Sequence, residues 1–150
     1  MAAGEFNILA DQGSNYVLYF IYEENDGTAI DLSTYTGRMQ VRRSPFSSDI
    51  LVFASGNTAS GGITGGGSTG YYNPSTETGV AGTGTLLINA SSGGLTGPSG
   101  TTGGVYISFD ATTMTNIPHG RHVYDVELVA GSSVTSVLRG RFEVRPEVTR

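Results

Sequence analysis

The segment RHVYDVELVAGSSVTSVLRGRFEVRPEVTR, residues 121–150, contains two alternating stretches joined by a short polar turn. In the first, His122, Tyr124, Val126 and Leu128 fall on one face, and Val123, Asp125, Glu127 and Val129 on the other. In the second, Leu138, Phe142 and Val144 share a face, opposite Val137, Arg139, Arg141 and Glu143. A period of two marks half-buried strands, and Ala130–Gly131–Ser132–Ser133 supplies turn residues, so the segment predicts a β-hairpin. Its apolar faces meet if the numbers of paired residues sum to 264 or 266. Either register brings Asp125 and Glu127 near Arg139 and Arg141 on the wet face. Each such opposite-charge pair adds only a few tenths of a kcal/mol to about 1 kcal/mol, enough to disfavour a one-residue slip.

Upstream, Tyr16–Tyr22 (YVLYFIY) is apolar on both faces and reads as a central strand covered on both sides. Glu24–Asn25–Asp26–Gly27 reads as a tight turn. Arg38–Arg43 alternates with Met39 and Val41 inward and Arg38, Gln40 and Arg42 outward; Ser44–Pro45 ends it, and Ile50–Phe53 is a further short strand. From Ala54 to Gly104 the character changes, with 16 Gly, 7 Ser, 10 Thr and a single charge, Glu77. Within that stretch Thr85–Ala90 is the best strand and Tyr71–Tyr72 an aromatic anchor. Val105–Phe109 resumes strand character, and Asp110 is placed to cap one helical turn. Seven or eight short strands and no long helix predict an all-β, immunoglobulin-like antiparallel β-sandwich. It forms a single domain, residues 1–150, with a Gly/Ser/Thr-rich insert at 54–104. No Cys–Trp–Cys pattern is present, so kinship to antibody domains is not implied.

A chain of 150 residues suits one domain with a real core. Hydrophobic content is 37% and the mean hydropathy is -0.08, lowered by 23 glycines. No apolar run is long enough for a transmembrane helix, and the start lacks the basic and apolar segments of a secretory signal. The net charge of -5 argues against a general nucleic-acid binder. All eight basic residues are Arg, and forked, stackable guanidinium groups suit protein contacts better than Lys does. With no cysteine, disulfides and thiolate metal sites are excluded.

The residues offer little chemistry. His119 and His122 are the only histidines, and Asp125 lies on a different face from His122, so no metal site is expected. No nucleophile elbow is present. Gly65–Gly66–Gly67 and Gly82–Thr83–Gly84 lack the Lys and the helix of a phosphate loop. Asn25–Asp26–Gly27 is too short for a calcium loop. No catalytic residue, cofactor, metal or small-molecule substrate is expected.

The two ends of the chain resemble small virion proteins of tailed bacteriophages, including those of cyanobacteria. The resemblance rests on Asp11–Gln12–Gly13, the aromatic strand Tyr16–Tyr22, Asp26–Gly27, the stretch Ile30–Gly37 and Met39–Arg42. It continues through Val105–Phe109, Asp110–Thr113, Tyr124–Leu128, Leu138–Arg139–Gly140 and Pro146–Arg150. It covers residues 8–53 and 105–150; the insert at 54–104 is a departure from it. The chain is also similar to the immunoglobulin-like N-terminal domain of baseplate upper proteins. What the resemblance implies is a non-enzymatic, multi-copy component of the tail, baseplate or neck, assembled in the host cytoplasm. Its partners would be other virion proteins and copies of itself, with no nucleic acid or membrane. Candidate protein contacts are Arg38, Arg42, Arg43, Tyr71, Tyr72, Pro146, Glu147 and Arg150. Two other expectations compete: a glycan- or receptor-binding module of a tail fibre, with Tyr71, Tyr72 and Tyr106 stacking on sugar rings, and a capsid decoration protein.

Overall fold

In the computed structural model of the chain, residues 3–32, 34–47, 50–57, 68–73, 78–82, 84–88 and 103–148 are described. The predicted hairpin forms as β10 (Gly120–Ala130) and β11 (Ser133–Arg145), with Gly131 at φ 60° in the turn. From Gly120↔Val144 to Val126↔Leu138 the paired numbers sum to 264, one of the two expected registers. Beyond that point a bulge shifts the pairing to Glu127↔Ser136. The extra residue, Val137, is 7% exposed, whereas strict alternation assigned it to the wet face. A bulge sets two residues against one, and two adjacent apolar side chains, Val137 and Leu138, make that arrangement favourable.

β4 (Thr36–Arg42) lies antiparallel to β10, with Met39 and Val41 buried as expected. β5 (Ile50–Asn57) runs four residues past Phe53, and β6 (Ser68–Asn73) and β7 (Thr78–Ala81) extend the sheet. On the far side of β11, β1 (Gly4–Glu5) and β2 (Ile8–Asp11) pair with it in parallel. Together these make an eight-stranded sheet, mostly antiparallel with a parallel edge. β3 (Tyr16–Ile21), β9 (Gly104–Phe109) and β8 (Leu86–Ile88) form a second, antiparallel sheet in the order β3-β9-β8. The fold is all-β with one short helix, α1 (Ala111–Thr115), capped by the Asp110 side chain, which accepts from the Thr113 N–H at 3.3 Å. Eleven strands are present among the described residues, against the seven or eight expected, because the termini and the glycine-rich stretch add short ones.

The two sheets share one core, consistent with a β-sandwich. Tyr16 of the small sheet meets Phe142 of the large one edge-on, with centroids 6.1 Å apart, and Tyr124 also meets Phe142 edge-on, at 6.2 Å. Gly37 allows close approach between the sheets: a Cβ there would lie 2.8 Å from Leu86 Cδ2. Met114 and Ile117, in and after α1, are fully buried and belong to the same core.

One expectation is corrected here. The YVLYFIY strand is not central, since β3 pairs with β9 alone and ends the small sheet. Only Leu18 is fully buried, while Val17 and Ile21 are 49% and 48% exposed. Short aromatic and β-branched runs suit one-sided and two-sided strands alike, and the run does not distinguish them. The described parts of residues 54–104 contribute to the core. β8 contributes Leu86, Leu87 and Ile88, all buried, and β5 and β6 contribute Ala54 and Thr69.

At the parallel edge the chain crosses β11 at Gly140, where an added Cβ would strike the Phe6 carbonyl. Phe6 N–H donates to the Arg139 carbonyl at 3.0 Å, Asn7 Oδ1 accepts from the Arg141 N–H at 3.0 Å, and Tyr124 OH donates to the Phe6 carbonyl at 2.6 Å. Gly140→Ala is expected to lose about 1–3 kcal/mol of stability through this overpacking. It should also speed amide exchange selectively in residues 4–11, read by hydrogen-exchange mass spectrometry. Tyr124→Phe, which removes one buried hydrogen bond, is expected to cost about 1 kcal/mol in a denaturant melt.

Candidate functional site

Alternation on three adjacent strands places charged side chains on the outer face of the large sheet. β4 contributes Arg38, Gln40 and Arg42; β10 contributes Val123, Asp125 and Glu127; β11 contributes Arg139 and Arg141. The N-terminal segment walls one side with Glu5 and Asn7, and Pro45 lies on the other. These residues line a trough of about 1020 Å³ that holds three carboxylates (Glu5, Asp125, Glu127) and three guanidinium groups (Arg38, Arg42, Arg139).

The pairing differs from that read in the sequence. Glu127 is answered by Arg38 of the neighbouring strand, Nε to Oε2 at 2.5 Å, and not by Arg139 or Arg141. The bulge is the cause, because past it Glu127 stands opposite Ser136. Arg139 reaches Glu5 at 3.9 Å, Arg145 reaches Asp11 at 2.7 Å, and Arg121 reaches Glu143 at 3.6 Å. All four pairs are exposed on at least one side and contribute little individually. Arg42 is held by neutral groups: Nη2 donates to Gln40 Oε1 at 2.8 Å, and Nη1 to the Ser47 carbonyl at 2.8 Å. Those bonds fix its guanidinium without neutralising it.

Asp125 is half-buried on the trough floor, where burial and the neighbouring Glu127 carboxylate push its carboxyl above the ordinary range, against the pull of Arg38 and Arg42. His122, on the opposite face of the same strand, is buried, with Nε2 2.6 Å from the Pro118 carbonyl. Among the described residues no group of three His, Cys, Asp or Glu side chains converges as metal ligands would.

The candidates named from sequence fall in separate places. Arg38 and Arg42 meet in the trough, and Arg43, exposed, follows the end of β4. Tyr71 and Tyr72 are neighbours on β6 and so face opposite ways: Tyr71 lies opposite core Val52, while Tyr72 lies opposite Gly79 on the outer side. Tyr106 belongs to the other sheet, opposite Tyr19. The three tyrosines therefore do not form one stacking platform. Pro146 is exposed, whereas Glu147 folds back on the chain, its N–H donating to Gln12 Oε1 at 3.3 Å and its carboxylate packing over Gly13. Gln12 in turn donates to the Ile117 carbonyl at 3.0 Å, so Glu147 is tied to its own chain while Pro146 stays open. Arg150 lies outside the described residues.

Sequence reasoning missed Glu5 and Asn7 as parts of the trough. The N-terminal strands are too short for alternation to reveal them, and parallel pairing with β11 is a long-range event. In a scan against protein-family models the chain matches none, and a search of curated proteins finds no match.

Because the folded chain keeps the Asp125 proton to a higher pH than the unfolded chain does, this residue opposes folding once it ionises. Its effect is absent below the ordinary carboxylate range and grows as pH rises through the raised one. Asp125→Asn is therefore expected to be more stable than the parent at neutral pH, with the difference closing in acid, measured by denaturant melts across pH.

Proposed function

We propose that this chain is a non-enzymatic structural protein of a tailed-bacteriophage virion. In this reading it is a multi-copy component of the tail, baseplate or neck, built on an immunoglobulin-like sandwich. The observation that carries the reading is the spatial union of the two stretches that bear the resemblance. Ile8–Asp11 lies along Phe142–Arg145, Thr36–Arg42 along Val123–Val129, and Tyr16–Ile21 along Gly104–Phe109. The motif Asp11–Gln12–Gly13 sits against Glu147 of the closing Pro146–Arg150 motif. Segments from 81 to 135 residues apart thus act as one unit, as they would if the resemblance reflected a shared fold.

The large sheet supplies the means of assembly. Its outer face is charged and open, and arginine with aromatic residues suits interfaces between proteins. The stretch at 54–104 and the termini hold neighbouring virion proteins in this reading, and no nucleic acid, membrane or small molecule takes part. The glycan-binding alternative is weaker, since Tyr71 and Tyr72 face opposite sides of β6.

Purified particles of the phage that encodes this chain should contain it in several copies, counted by quantitative mass spectrometry. Dissociated tails, baseplates or necks should retain it when capsids are separated. Its absence from particles overturns the reading, and its recovery with capsids alone redirects it to decoration.

A further inference from the structure

Charge is distributed unevenly over this molecule. Six of the eight arginines project from the outer face of the large sheet: Arg38, Arg42, Arg121, Arg139, Arg141 and Arg145. Four of them form the ion pairs described above, with Glu127, Glu143, Glu5 and Asp11. The two that remain, Arg42 and Arg141, make no salt bridge among the described residues, and Arg42 meets a carboxylate only in its longer-range pull on Asp125. Both stand directly opposite Val123, one on each neighbouring strand. Strands in a sheet lie about 4.8 Å apart, so the two backbones are about 10 Å apart, with an uncharged residue between them. Arg42 is also immobilised by Gln40 and the Ser47 carbonyl, which lowers the entropy lost on binding an anion.

The opposite charge is gathered on the turn between β3 and β4. Between Ser14 and Gly37 the chain carries Glu23, Glu24, Asp26 and Asp31 and no Arg. Glu23, Glu24 and Asp26 are exposed on a tight turn closed by Glu24 N–H to Thr28 O at 2.8 Å and Gly27 N–H to Glu24 O at 3.0 Å. The Asp26 carboxylate accepts from the Thr28 N–H at 2.9 Å, which stiffens the turn. A narrow, rigid, acidic projection on one part of the chain thus matches a two-guanidinium row on another.

We propose that the Arg42–Val123–Arg141 row docks the Glu23–Gly27 turn of a second copy of this chain. The contact is head-to-tail: each copy offers its turn to one neighbour and its row to the other. Such a contact propagates, closing into a ring or extending as a stack. The inference rests on the multi-copy reading above and specifies which surfaces meet. The rest of the trough holds three carboxylates and two guanidinium groups, so the Arg42–Val123–Arg141 row is the most positive part of this face and sets the docking position. Asp125, two residues from Val123 on β10, repels an acidic turn that slides along the trough.

The test is sedimentation velocity of the full chain at low and high salt, with two charge reversals. One variant carries Glu23→Arg and Glu24→Arg, the other Arg42→Glu and Arg141→Glu; Asp26 is left in place because it holds the turn. Parent chain should self-associate at low salt and dissociate as salt screens the contact. Each variant alone should associate about tenfold more weakly or worse. Mixing the two variants should restore association, because the reversed turn then meets the reversed row, and a misfolded variant could not do this. Association that survives either reversal overturns the inference while leaving the multi-copy reading standing. A parent chain that stays monomeric at every salt, or variants that fail to recover on mixing, also overturns it. The copy number in particles judges the multi-copy reading separately.

Discussion

The Phe142 ring, in edge-on contact with both Tyr16 and Tyr124, is the contact on which the rest of the structure depends. Tyr16 belongs to the small sheet, and Phe142 and Tyr124 to adjacent strands of the large one, so the edge-on trio joins the layers. Edge-to-face geometry adds about 0.5–1.5 kcal/mol per pair beyond the area it buries. Tyr124 then extends the connection through its hydroxyl to the Phe6 carbonyl. Burial, with Tyr16 close by, pushes the Tyr124 phenol well above its ordinary range, which favours the protonated hydroxyl that donates here.

That anchor explains why the parallel edge can exist. β1 and β2 are two and four residues long, too short to hold a register alone. They are placed by groups that flank them: the Tyr124 hydroxyl, the Asn7 side chain on the Arg141 N–H, and the missing side chain at Gly140. With the edge in place, Glu5 and Asn7 become walls of the trough. The outer face thereby changes from a flat row of alternating charges into a concave surface with fixed ion pairs. Two guanidinium groups without a salt bridge, Arg42 and Arg141, flank Val123, and the acidic turn at the end of β3 carries the opposite charge.

Along β4 and β10 the large sheet was readable before the structure. Alternation there is strict, and residues assigned inward, such as Met39, Val41, Val126 and Leu128, are buried. The Glu24–Gly27 turn and the Asp110 cap were readable for a different reason, since both are local and both use side chains that bond their own neighbouring backbone. The glycine-rich stretch was opaque. Gly70 and Gly79 of β6 and β7 carry no pattern of their own; the Phe53 ring packs over them from β5, so their strand character depends on a residue elsewhere. Leu86–Ile88 was visible as a strand, but nothing local indicated that Leu86 would pack against Gly37.

What the sequence by itself determined is the β character of the chain, the hairpin with its charged outer face, and the segregation of arginines from the acidic turn. Each follows from the period of two and from the order of charges along the chain, which are local quantities. What only the tertiary structure decided is the bulge at Val137, the edge position of β3, the parallel docking of the N-terminus and hence the identity of each ion pair. All four depend on which strands become neighbours. A bulge flips every residue beyond it, and an aromatic run buries one face or two according to whether a second strand arrives. Strand neighbours are chosen by the packing of distant apolar side chains around Phe142, and no window of consecutive residues contains that information.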